Sequence, residues 1–153
     1  MADDVVVPDG YRYPVLLRWG QPILAGAPEF DFAAQTPQAQ AGQFGYNCDF
    51  LALLPLPGEA ALLWSNHEYT NSEIMFPDWN PDAPTLGHVD TELAAHGGSL
   101  VVVDMAVGQP RIVTGHPLNR ITAETPMQLT GPAAGAALLR TAEDPAGPGC
   151  GGC

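Results

Sequence analysis

The chain has 153 residues, enough for one domain or part of a larger one, and its 46% hydrophobic content excludes wholesale disorder. Only 14% of residues are charged, all five cations are arginines, and the formal net charge is −12. That balance excludes a basic face for nucleic acid and disfavours anionic lipid, because both need Lys and Arg against phosphates. It suits cation binding.

With 17 glycines and 16 prolines, the sequence reads as short strands joined by irregular loops rather than a helical bundle. Taken in chain order, Tyr13–Trp19 has strand character and is closed by Gly20 and Pro22. Residues 33–41 have helical composition, but Pro37 sits inside them, so a loop is expected. Asp49–Leu56 and Ala61–Ser65 are apolar runs around a Pro- and Gly-containing turn, the pattern of an antiparallel hairpin. An irregular stretch follows, to Pro84. A helix is expected from Leu86 to His96, with Thr85 as N-cap, Val89 and Leu93 on one face and Gly97 as C-cap. Leu100–Met105 and Arg111–Thr114 form a second hairpin around Gly108. Residues 116–145 read as loop with one apolar run at Ala136–Leu139, and 146–153 as a disordered Gly/Cys tail.

Two hairpins in series with a loop and a helix between them amount to about one propeller blade, or half of a small sandwich. The expected class is therefore mainly β, with one short inserted helix and long irregular loops. About six strands over this length suggest a piece of something larger. No apolar run approaches the ~20 residues of a membrane span. Met1-Ala2-Asp3-Asp4 lacks the basic and apolar regions of a signal peptide.

The densest polar constellation lies at one end of the first hairpin. Asn47-Cys48-Asp49 opens its first strand, and Asn66-His67-Glu68-Tyr69-Thr70-Asn71 closes its second. Hairpin pairing brings these ends side by side, so a thiol, an imidazole, two carboxylates and amides are expected at one sheet edge. Taken singly, each has an ordinary role: Cys48 as a small buried hydrophobe, His67 as a hydrogen-bonded histidine, Asp49 and Asn71 as turn caps, Glu68 facing water. As a cluster in an acidic chain they suit a multivalent cation. Thiolate with carboxylate points to iron or another transition metal, and oxygens alone to calcium. The terminal Cys150-Gly151-Gly152-Cys153 is a C-x-x-C without the context of a redox or zinc motif.

These same residues carry a family resemblance. Phe44-Gly45-Tyr46-Asn47-Cys48-Asp49-Phe50, then Leu63-Trp64-Ser65-Asn66-His67-Glu68-Tyr69-Thr70-Asn71 and Met75-Phe76-Pro77, resemble the PhoX-type bacterial alkaline phosphatases. Glu92–Ser99, Asn119–Thr122, Thr125–Met127 and Leu129–Gly135 agree with the same family. The resemblance covers about Val5 to Pro145, so residues 1–145 are taken as the N-terminal portion of such a domain.

The resemblance implies an exported, periplasmic or secreted β-propeller enzyme that hydrolyses phosphate monoesters at an iron–calcium cluster. It assigns Cys48 and Glu68 as metal ligands, with Asn47, Asp49, Asn66, His67 and Asn71 in or around the inner shell. Family members are several times longer and carry further ligand motifs downstream, so an incomplete metal site is expected here. The alternatives are a non-catalytic β-rich fragment and a module that binds a cation or partner without turnover.

Overall fold

The computed structural model describes residues 4–106, 110–113, 119–140 and 142. Its centre is one antiparallel sheet. β1 (Cys48–Pro55) pairs with β2 (Ala60–His67), β2 with β3 (Gly97–Asp104), and β3 with both β4 (Arg111–Ile112) and β5 (Asn119–Ile121). β4 lies against Val103 and Asp104 while β5 lies against Gly98–Leu100, so the two short strands share one edge of β3 end to end. The result is a single sheet four strands wide, of the size of one propeller blade, as the paired apolar runs anticipate.

The register decides which side chains meet. Cys48 pairs with His67, but Leu51 pairs with Ser65, so three residues of β1 span what two of β2 span. This is a bulge, with one extra residue in β1. It restores Cys48 to the same face as Leu51 and Leu53, and it sends Asp49 to the other.

The core forms on one face of the sheet. Ile23, Phe44, Val101 and Val103 are buried together, with Leu16, Leu17, Leu24, Leu63 and Ile112 against them. A second cluster, Met75, Phe76 and Ala95, is walled by Trp19, Tyr46 and Trp79. By contrast β1 is exposed along most of its length, with Phe50, Leu51, Leu53 and Leu54 each at least half accessible. An apolar run exposed on both faces and at a sheet edge has the composition of a strand meant to be covered.

Several expectations are corrected. Tyr13–Trp19 is not a strand. Pro14 lacks an N–H, the segment pairs with no described strand, and it contributes Leu16 and Leu17 to the core as coil. Residues 33–41 contain a short helix, α1 (Pro37–Gln40), because Pro37 occupies the first helical position, where its missing N–H costs nothing. The Thr36 side chain caps it by accepting from the Ala39 N–H. The irregular stretch holds another single turn, α2 (Ser72–Met75).

The main helix is α3 (Leu86–Ala95), capped as expected by Thr85, whose Oγ1 accepts from the His88 N–H. Its buried face is formed by Thr91, Ala94 and Ala95, not by Val89 and Leu93, which are exposed. Small residues allow close approach to the loop before β1, where the Tyr46 N–H donates to the Ala95 carbonyl. The helix stops one residue earlier than expected, at Ala95, with His96 rather than Gly97 as its C-cap; Gly97 opens β3 with φ +102°, and a Cβ there would lie 2.1 Å from the Ile121 carbonyl oxygen. Within 116–145, expected as loop, β5 adds a strand and two single 3-10 turns follow, at Gly131–Ala133 and Ala137–Leu139. Gly108, Thr114 and the tail with Cys150 and Cys153 lie outside the described residues. Among the described residues no helix is long and apolar enough to cross a membrane.

Candidate metal and phosphate site

Strand alternation divides the expected cluster in two. Trp64, Asn66 and Glu68 lie two residues apart on one face of β2 and its extension, and Gly98 of β3 pairs opposite Asn66 on that face. Together with Asp49, His96, Ile121, Met127 and an edge of the buried His67 they line a pocket of about 420 Å³. Leu63, Ser65 and His67 occupy the other face of β2, toward the core.

Glu68 and Asp49 are exposed, and neither carboxylate has a hydrogen bond or ion pair among the described residues. The Glu68 N–H donates to the Asn47 carbonyl at 3.2 Å, which ties the end of β2 to the start of β1. Asn47 reaches this position with φ +50°, a left-handed conformation that asparagine tolerates better than most residues. The arginines near the sheet offer these carboxylates nothing. Arg111 pairs with Asp104 at 3.0 Å. Arg120 is buried and donates to the carbonyls of Gln43, Ala94, His96, Gly98 and Ile121. Burial lowers its pKa to about 10, so it remains a cation at neutral pH, with carbonyl oxygens as its hydrogen-bond partners among the described residues.

Cys48 is a free, exposed thiol, which corrects its reading as a buried hydrophobe. It lines a different cleft, an apolar one of about 530 Å³ with Leu16, Phe44, Leu51, Leu53 and Leu63. The hairpin does set Cys48 opposite His67, as expected, but the thiol and the carboxylates end on opposite faces of the sheet.

His67 is 2% exposed. Its Nε2 lies 2.7 Å from Ser99 Oγ and accepts from the Gly45 N–H at 3.3 Å. The ring packs edge-on against Phe44 at 4.7 Å. Its Nδ1 is buried without a partner among the described residues. Burial first, and the nearby Arg120 charge second, lower the His67 pKa to about 3, so the ring is neutral at physiological pH. Asn71 stands apart from the pocket. Its Oδ1 accepts from the Tyr46 hydroxyl at 3.2 Å, and it precedes α2 as N-cap without a capping bond from its side chain.

Two groups in the pocket have fixed orientations that sequence reading missed. The Trp64 indole N–H donates to Asn66 Oδ1 at 2.6 Å. His96 Nδ1 lies 2.7 Å from the Glu92 carbonyl oxygen; that oxygen only accepts, so Nδ1 carries the proton and Nε2 is left for other contacts. The period-two spacing of Trp64, Asn66 and Glu68 was the signal available for the first. The second was hidden, because His96 reads equally well as a cation at a helix end.

The donor set fits a share of a metal cluster. The two carboxylates, unpaired among the described residues, are hard oxygen donors of the kind calcium takes, while the Cys48 thiol, a soft donor suited to iron when ionised, lies in the other cleft. Among the described residues, no three His, Cys, Asp or Glu side chains converge closely enough to hold an ion by themselves.

A blade-like antiparallel sheet that presents two carboxylates unpaired among the described residues, an amide and an imidazole in one pocket defines a mainly β protein with a polar candidate site. The chain belongs to the alkaline phosphatase PhoX family, whose model matches residues 1–153. It is similar to a solved structure, Pseudomonas fluorescens PhoX in complex with vanadate, a transition state analogue, at 36% identity and a TM-score of 0.82. That match covers 91% of this chain and 24% of the Pseudomonas chain. No curated protein matches.

Proposed function

We propose that this chain forms part of a metal-dependent phosphatase that hydrolyses phosphate monoesters in the periplasm or outside the cell. The observation that carries the reading is the pair of unpaired carboxylates, Glu68 and Asp49, in one pocket of a PhoX-family chain of net charge −12. Carboxylates without arginine partners repel a phosphate ester unless cations stand between them. The Pseudomonas PhoX binds vanadate, and the same oxyanion chemistry is proposed for this fold.

Glu68 and Cys48 are the proposed metal ligands, for calcium and iron, with Asp49 beside Glu68 in the pocket. A bound iron–calcium cluster supplies Lewis acidity for phosphoryl oxygens. The chain's own residues shape the place for it. Asn47 fixes the β1–β2 junction through its carbonyl, and His67 braces that junction from the core side. Asn66 projects into the pocket, and Asn71 holds the segment after Glu68 through Tyr46.

Loaded with iron and calcium, the chain is expected to bind orthovanadate, competitively with inorganic phosphate, and the metal-free chain is not. Equal binding with and without metals, or no binding in either state, contradicts the reading. A second reading is a cation-binding β module without turnover. It is favoured by the absence of a complete ligand group among the described residues. It predicts calcium uptake with no hydrolysis of p-nitrophenyl phosphate.

A further inference from the structure

Asn66 offers either an oxygen to a cation or N–H groups to an anion, and the side chain beside it decides between them. Trp64 stands two residues earlier on the same face, and its Nε1 lies 2.6 Å from the Asn66 amide. An indole nitrogen is a donor only, so the atom that meets it is the amide oxygen, and the side-chain orientation follows without ambiguity. The indole is itself held in place. It lies over Gly98, where a Cβ would approach the ring to 2.5 Å, so glycine at this position lets Trp64 lie flat on β3. With Oδ1 engaged, Asn66 Nδ2 keeps two N–H groups that have no hydrogen bond among the described residues. They belong to a side chain lining the pocket that also holds Glu68 and Asp49.

We propose that Asn66 binds a phosphoryl oxygen of the substrate through its Nδ2 amide, and that Trp64 is the positioning residue that turns this face of the amide outward. The assignment rests on the phosphatase reading above and gives that site a neutral anion contact. A metal ion takes an amide through its oxygen, and here one of that oxygen's two lone pairs is already engaged by an indole N–H, which leaves Nδ2 as the part of the amide with no bond among the described residues. The pocket then has two kinds of wall: carboxylates for cations, and an amide for the oxyanion those cations attract. A neutral donor serves such a place without competing with the metals, as a lysine or arginine beside Glu68 would by pairing with its carboxylate.

The test follows the Asn66 side-chain amide by ¹H–¹⁵N NMR in the calcium-loaded chain titrated with inorganic phosphate. The amide pair is expected to shift with phosphate, and to respond little to calcium alone. Asn66→Asp, of the same shape but without N–H donors, is expected to weaken phosphate binding roughly tenfold or more. Trp64→Phe is expected to weaken phosphate binding while leaving calcium affinity unchanged. Phosphate binding without a shift of the Asn66 amide overturns the assignment alone. So does a rise in calcium affinity in Trp64→Phe, because releasing Oδ1 would then have created a better cation ligand. A chain loaded with iron and calcium that binds no phosphate overturns the functional reading and this assignment together. The wild-type titration decides the matter even where a variant folds poorly.

Discussion

At the scale of single residues, His67 shows what a buried neutral imidazole does in this fold. Its Nε2 accepts from Gly45 and contacts Ser99, and its Nδ1 has no partner among the described residues. With the folded pKa lowered from 6.5 to about 3, the unfolded chain binds an extra proton throughout that interval. Stability from this group is complete above pH 6.5 and is lost as the pH falls toward 3, at about 1.4 kcal/mol per unit. Urea unfolding of the metal-free chain in chelator is expected to show a loss of about 2–3 kcal/mol from His67 between pH 7 and pH 4.5. His67→Gln lowers stability at pH 7 but flattens that acid limb. An unchanged slope in the variant contradicts the assignment. The hydrogen-bonded role was among the ordinary readings of His67, and the structure bears it out, but its burial and lowered pKa were not legible, since the sequence places His67 beside Glu68 without saying that their side chains leave opposite sides of β2.

At the scale of elements, Arg120 joins parts that the sheet alone does not hold. From β5 it reaches the carbonyls at the end of α3, at the start of β3 and in the loop before β1. Arg120→Met leaves several part-buried carbonyls without their Arg120 donor, and is expected to destabilise the chain by about 3–5 kcal/mol in urea unfolding. Arg120→Lys recovers only part of this, since one ammonium carries three donors where the guanidinium fork carries five. Full recovery by lysine contradicts the carbonyl-clamp account. The hairpins and α3 were legible because their signals are local: apolar runs bounded by Pro and Gly, and a threonine N-cap. β5 was not, because Asn119-Arg120-Ile121 is too short to show a period, and it is a strand only through its pairing with β3. The face of α3 was misjudged for a related reason. Val89 and Leu93 are its larger apolar residues, but Ala94, Ala95 and Thr91 are the ones small enough to pack closely.

At the scale of the whole molecule, the sheet reads as one blade with an uncovered apolar strand. The continuous run Phe50-Leu51-Ala52-Leu53-Leu54 announces burial on both faces, yet four of these residues are at least half exposed, and the chain spans 24% of the solved phosphatase it matches. The site shares this partial character. Spacing and hairpin geometry correctly brought Asp49, Asn66 and Glu68 to one end of the sheet. They could not show that the bulge after Cys48 turns the thiol to the opposite face, because a bulge is a register irregularity seen only in the paired strands.

The central claim is that the Glu68 pocket holds cations in a PhoX-family chain. Elemental analysis tests it most directly, on the wild-type chain and Glu68→Gln after incubation with iron and calcium and removal of free metal. The account predicts bound metal in the wild-type chain and a loss of most of it in the variant, with the fold retained because Glu68 is exposed and its side chain is unpaired among the described residues. Equal metal content in the two chains, or none in the wild-type chain, contradicts it.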